Sequence, residues 1–154
     1  MDDRELDVDQ FFKECGLPEE IIHSYKAKGV SKLFPWQVKM MKETGCLYNE
    51  HLLYSAPTGS GKTMVAELLM FRMCILQEKK AIFMLPYVSV VSEKEKYFTS
   101  LVRKYNRNYP NSKVRVKGVS GEMSVHDRSV NKADIIVCTV EKGVSILNNF
   151  IDRG

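Results

Sequence analysis

An α/β fold, with a mostly parallel sheet covered by helices, is predicted by three observations. Short apolar strand candidates alternate with helical patterns through the second two thirds of the chain. A glycine-rich phosphate loop sits between one of those strand candidates and a helix that is apolar nearly all round. The chain has 154 residues, 44% hydrophobic and 27% charged, enough for one domain to bury a useful core without staples.

The elements follow in order. Val8 to Cys15, closed by Gly16, reads as a short helix. Pro18-Glu-Glu-Ile-Ile starts a second, with proline and acids where a helix N-terminus favours them, ending near Gly29. Pro35 to Thr44, closed by Gly45, is a third. His51-Leu-Leu-Tyr-Ser55 is a strand candidate leading into the loop, and Lys62 to Gln77 is a helix apolar enough to be buried. Ala81 to Leu85 is a strand ended by Pro86; Val88 to Asn106 is a helix; Lys113 to Val119 alternates like a strand. Asp134 to Cys138 is a further strand and Glu141 to Ile151 a last helix. Short apolar strands of this kind suit a parallel sheet buried on both faces.

Composition removes several classes of function. Cysteines stand at 15, 46, 74 and 138 with no C-x-x-C, and the histidines at 23, 51 and 126 are as scattered. That spacing argues against a structural zinc site or a disulfide framework and for reduced thiols. The start, Met1 to Asp9, is acidic where a secretory leader would be basic and then apolar. The longest apolar stretch, Ala81 to Val91, is too short to cross a bilayer, so no membrane partner is expected. Net charge is +4, but unevenly spread: residues 1–56 hold seven basic and ten acidic side chains, whereas Lys96 to Gly121 hold seven basic and no acidic ones. A one-sign stretch is either a footprint for phosphate backbones or a solvated face.

The strong motif is Ala56-Pro57-Thr58-Gly59-Ser60-Gly61-Lys62-Thr63, a phosphate loop with alanine at its first glycine position. Gly59 and Gly61 allow a tight bend that brings N–H groups against phosphate oxygens. The positive end of the following helix faces the anion. Lys62 is then the contact to the β- and γ-phosphates of ATP and Thr63 the ligand to Mg²⁺.

With alanine at that position, the stretch resembles motif I of superfamily-2 helicases. Phe34-Pro-Trp-Gln37, with Gln37 lying 25 residues before Lys62, resembles the upstream glutamine motif, in which the amide reads the adenine edge. Leu85-Pro-Tyr-Val-Ser-Val-Val-Ser-Glu-Lys94 resembles motif Ia, and Thr139-Val-Glu-Lys142 resembles motif Ib. Gly121 stands where the family has a glycine-bearing nucleic-acid loop. The combination is most similar to HELQ-type repair helicases and to the helicase part of DNA polymerase theta. The resemblance implies a RecA-like P-loop domain over residues 30–154, preceded by a helical segment over 1–29. It also implies a nucleotide site from Phe34, Gln37, Pro57 to Gly61, Lys62 and Thr63. A nucleic-acid grip is implied at Pro86, Ser89, Lys94, Gly121, Thr139 and Lys142. In a complete enzyme it implies 3′-to-5′ translocation on single-stranded or forked DNA, in the nucleus, with a second RecA-like domain as partner.

The family's next motif, a strand ending Asp-Glu-x-His, has no counterpart, since the sequence contains no Asp-Glu dipeptide. The chain is therefore expected to be part of a longer motor and not to hydrolyse ATP alone. Three rivals stand beside this reading: a small-metabolite kinase, a non-catalytic nucleotide- or nucleic-acid-binding module, and an RNA helicase fragment. The fifty residues before the loop, with Gln37 among them, argue against the kinase.

Overall fold

A computed structural model describes residues 6–48 and 51–152. The chain forms two compact units, residues 1–76 and 77–154. The expected boundary after residue 29 falls inside the first of them.

In the first unit a two-residue strand, β1 (Leu6–Asp7), pairs antiparallel with β2 (Lys32–Leu33). Helix α1 (Val8–Glu14) begins where the Asp7 carboxylate accepts the Asp9 N–H at 2.7 Å. Helices α2 (Glu19–Ala27) and α3 (Pro35–Glu43), a 3₁₀ turn (Cys46–Tyr48) and α4 (Lys62–Leu76) complete it. Its core is aromatic: Phe12 meets Tyr25 edge-on at 5.4 Å, and Tyr25 meets Phe71 at 6.3 Å. The Tyr25 hydroxyl donates to Glu67 Oε2 at 3.0 Å, which gives that buried carboxylate a partner. Arg72 of α4 donates to the carbonyl oxygens of Leu47 and Cys15. The early helices thus pack on the helix that carries the phosphate loop.

The segment 51–57 has no regular secondary structure, against the expected strand at His51 to Ser55. Its residues have strand propensity, but propensity forms no ladder without a partner. Within this unit the one ladder among the described residues is β1–β2, and Leu53 is fully exposed.

The second unit is a three-stranded parallel sheet with helices on both faces. Its strands are β3 (Ala81–Leu85), β4 (Val116–Val119) and β5 (Ile135–Thr139), in the order β3-β5-β4. Its helices are α5 (Val88–Asn108), α6 (Arg128–Lys132) and α7 (Val140–Asp152). The central strand β5 is buried throughout, as its unbroken apolar run requires. Ile136 and Cys138 join Val119, Val130 and Ile146 in the core under α6 and α7. On the opposite face Phe83 meets Phe98 of α5 edge-on at 5.1 Å. Each fully buried aliphatic side chain here contributes roughly 1.5–3 kcal/mol. Gly143 sets the approach of α7 to β3, because a Cβ there would lie 2.6 Å from Met84 Cε. The β4 strand begins at Val116, three residues later than the alternation suggests. Val114 instead spends its N–H and carbonyl on the Asn106 side-chain amide, at 2.8 and 2.9 Å.

Candidate nucleotide and nucleic-acid sites

The phosphate loop runs from Ala56 to Gly61 and opens directly into α4. Gly59 and Gly61 have φ of +80° and +77°, backbone that favours glycine. At Gly61 the demand is also steric, since a Cβ would lie 2.5 Å from Gln37 Nε2. The Lys62 ammonium folds back into the loop and donates to the carbonyls of Ala56 (2.6 Å) and Pro57 (2.7 Å). Ser60 donates to Pro57 as well, through its hydroxyl at 2.7 Å. Pro57 and Thr58 lie on the exposed side of the loop, and Thr63 is exposed at the second position of α4.

Helix α3 holds this loop from one side. Gln37, 2% exposed, accepts the Phe34 N–H on Oε1 at 2.8 Å and donates from Nε2 to the Gly61 carbonyl at 2.8 Å. Trp36 donates from Nε1 to the Ser60 carbonyl at 3.2 Å, and its ring lies 6.1 Å from that of Tyr54. Tyr54 in turn donates its hydroxyl to the Lys62 carbonyl at 2.7 Å, and burial raises its pKa. Trp36 lies within the quoted Phe34-Pro-Trp-Gln37 stretch and Tyr54 just before the loop, but only their place beside a phosphate loop signals a supporting role. Beside the loop is a cavity of about 370 Å³ lined by Val30, Leu33, Phe34, Gln37, Gly61 and Met64. Phe34, Gln37 and the loop residues 57–63 therefore converge in the first unit.

A second cluster lies at the C-terminal end of the parallel sheet, where open α/β sheets bind ligands. Leu85 and Thr139 are register partners at the ends of β3 and β5, and Val119 ends β4 beside Cys138. From Leu85 the chain passes through exposed Pro86 to Tyr87, which caps α5 with no side-chain hydrogen bond. Ser89 is exposed in the first turn of that helix. Thr139 is 5% exposed, and α7 starts at the next residue. Gly121, with φ of +58°, lies in the loop after β4. Lys142 reaches that loop and donates to the Met123 carbonyl at 2.8 Å. Pro86, Ser89, Gly121 and Lys142 thus lie at the strand-end side of the sheet, with Thr139 buried at the end of β5. Lys94 is set back along α5, its ammonium over the rings of Tyr97 (4.7 Å) and Phe98 (5.5 Å).

The residues from Phe34 at the cavity mouth to the end of α7 fall within one family model: that of the DEAD/DEAH box helicases matches residues 34–153. The chain belongs to the DEAD/DEAH box helicase family. It is 37% identical over 138 residues to mouse DNA polymerase theta, covering 90% of this chain and 5% of that protein. To the Helicase POLQ-like protein of Caenorhabditis elegans it is 32% identical over 142 residues, covering 90% of this chain and 14% of that one. The chain thus spans a small part of the relatives it matches. Its fold is that of a Sulfolobus tokodaii structure described as a hypothetical ATP-dependent RNA helicase, with TM-score 0.62 and 18% identity. That likeness covers 88% of this chain and 38% of the other.

Proposed function

We propose that this chain is the nucleotide-gripping and strand-gripping part of the first RecA-like domain of an ATP-dependent DNA helicase. The observation that carries the reading is the Lys62 ammonium held on the Ala56 and Pro57 carbonyls, inside a loop whose two glycines have left-handed backbone. An ammonium held only by neutral carbonyls gains by exchanging them for phosphate oxygens, because the acceptor then carries the opposite charge. Gln37 spends one amide hydrogen on Gly61 and one lone pair on Phe34. One donor and one acceptor remain on that amide for the paired edge of an adenine entering the cavity it lines. Phe34, 45% exposed at the mouth, offers the base a stacking face.

Mg²⁺ fits this site through the exposed Thr63 hydroxyl and the phosphates themselves; bound there, it neutralises charge on the β- and γ-oxygens. Among the described residues no cluster of three acidic, histidine or cysteine side chains offers it a cage. At the strand ends, the uncapped N–H groups of α5 and the side chains of Ser89 and Thr139 suit the phosphates of a single strand. In the complete protein, ATP would close this domain and a second RecA-like domain over single-stranded or forked DNA. Movement would be 3′-to-5′, and the work would be DNA repair in the nucleus.

The test is nucleotide binding by residues 1–154, followed with a fluorescent ATP analogue. Lys62→Ala should abolish binding while circular dichroism and thermal melting stay those of the parent chain. Unchanged affinity would remove the loop from the nucleotide site.

A further inference from the structure

The basic run from Lys96 to Lys117 does not form one surface. Hydrogen bonds from Ser129 hold the Asp127 carboxyl low, with a smaller contribution from the charge of Lys117, and Arg115 donates from its guanidinium to the Lys132 carbonyl at 3.5 Å. Lys117 and Arg115 belong to the α6 side of the sheet. Lys96, Arg103, Lys104 and Arg107 lie instead on α5 and are exposed. The buried face of α5 there is Phe98, Leu101, Val102 and Tyr105. Lys96, Arg103 and Arg107, at i, i+7 and i+11, form a line opposite that face, with Lys104 beside it.

Three exposed cations of the first unit have acidic partners. Lys13 pairs with Glu19 at 2.7 Å, Lys42 with Glu14 at 3.1 Å, and Lys26 with Asp9. The four cations on α5 have no ion pair among the described residues, and no acid occurs between Lys96 and Gly121 to supply one. The outward position between them is exposed Thr99, a hydroxyl that suits a phosphate oxygen, while the half-buried Ser100 donates its hydroxyl to the Tyr97 carbonyl at 2.6 Å. No aromatic side chain stands in that line. Single-strand surfaces combine cations with stacking platforms, whereas a duplex backbone is held by cations and hydroxyls alone.

We propose that the outer face of α5 is a docking surface for the phosphate backbone of duplex DNA, distinct from the strand-end surface. This inference rests on the reading that the chain binds nucleic acid. The line from Lys96 to Arg107 is about 16 Å long at 1.5 Å per residue. Duplex DNA presents one charge per roughly 1.7 Å of axis, so about ten phosphates face a stretch of that length. Four unpartnered cations against that density form a complementary pair, and one that would keep a duplex beside the single strand gripped at the sheet.

The experiment measures binding of a 20-base-pair duplex and of a 20-residue oligothymidylate to residues 1–154 by fluorescence anisotropy over a salt series. The triple variant Lys96→Gln/Arg103→Gln/Arg107→Gln is compared with a charge-matched Lys39→Gln/Lys79→Gln/Lys132→Gln control. For the α5 variant, the slope of log affinity against log salt on the duplex should fall by about 2.7, at about 0.9 per lost contact. Oligothymidylate binding should change no more than in the control. An unchanged duplex slope, or an equal loss in the control, overturns the proposal. An equal loss on oligothymidylate moves the surface to the single strand, and displacement by poly-glutamate as readily as by duplex moves it to an acidic protein; both overturn it too. A Ser89→Ala/Thr139→Val variant separates the two readings. If it leaves oligothymidylate binding intact while the α5 result holds, the strand-end grip fails and the duplex surface stands.

Discussion

Gln37 shows how much one side chain can be asked to do. Its amide closes the first turn of α3 through Phe34 and ties α3 to the phosphate loop through Gly61. Gln37→Ala would leave a half-buried N–H and a half-buried loop carbonyl without this partner, each costing on the order of 1 kcal/mol. The expected result is a melting temperature lowered by several degrees together with weaker nucleotide binding. Gln37→Glu keeps the Phe34 bond but has no hydrogen for Gly61. Calorimetric titration with ATP should show it weakened while its stability falls less than that of the alanine variant. Two thiols allow a second check. Burial pushes Cys15 and Cys138 up to about 11, from an ordinary value of 9.0. Between those values the unfolded chain sheds thiol protons that the folded chain keeps, so stability is full below pH 9 and declines toward pH 11. Each thiol contributes up to about 1.4 kcal/mol per pH unit in that window. Urea midpoints at pH 8 and pH 10.5 should converge in a Cys15→Ala/Cys138→Ala chain and diverge in the parent.

At the scale of elements, α7 meets both the sheet and the loop after β4. Gly143 lets it approach Met84, while Lys142 and Asn149 reach the loop after β4, at the Met123 carbonyl and at His126 Nδ1 (3.1 Å). Lys142 acts on that loop through a carbonyl, so its influence on nucleic acid would pass through the position of Gly121. Lys142→Met keeps the apolar stem and removes the donor. Hydrogen exchange in residues 120–127 should rise several-fold, with α7 itself protected as before; exchange confined to α7 would contradict the tether. Helix α4 offers a parallel case in the first unit. Arg72→Ala would strand the Leu47 and Cys15 carbonyls and should release the 3₁₀ turn before it releases α4.

For the whole molecule, the phosphate loop lies in one unit, residues 1–76, and the strand-end cluster in the other, residues 77–154. Binding and turnover therefore need not go together. No Asp-Glu dipeptide is present to polarise the attacking water. Electrostatic groups of the kind a partner domain supplies contribute factors of roughly 10³ to 10⁵ in phosphoryl-transfer sites. Residues 1–154 should bind ATP without releasing phosphate above a Lys62→Ala background, with or without single-stranded DNA. DNA-stimulated release that vanishes in the Lys62 variant would reveal a catalytic acid elsewhere in the chain.

The α/β class, the places of α4, β3, α5, β5 and α7, and the phosphate loop were legible from sequence, because apolar periodicity and glycine spacing are local properties. The candidate site was named residue by residue from motifs shared with helicases; the structure adds that Gln37 donates to the Gly61 carbonyl across 24 positions. Tertiary structure decided what depends on partners distant in sequence. His51 to Ser55 has the residues of a strand but no ladder to join. β1 and β2, two residues each, arise only because the chain returns 27 positions later to pair Leu6 with Leu33. Trp36 and Tyr54 became supports of the loop, and Lys94 settled over Tyr97 and Phe98 and away from the strand ends. The basic run, single in sequence, was divided by the sheet: alternation sends Lys117 to the α6 face, while helical periodicity turns Lys96, Arg103 and Arg107 outward on α5. A side chain's type is written in the chain, but its partner is set by which backbones lie next to one another once hydrogen bonds and burial are satisfied.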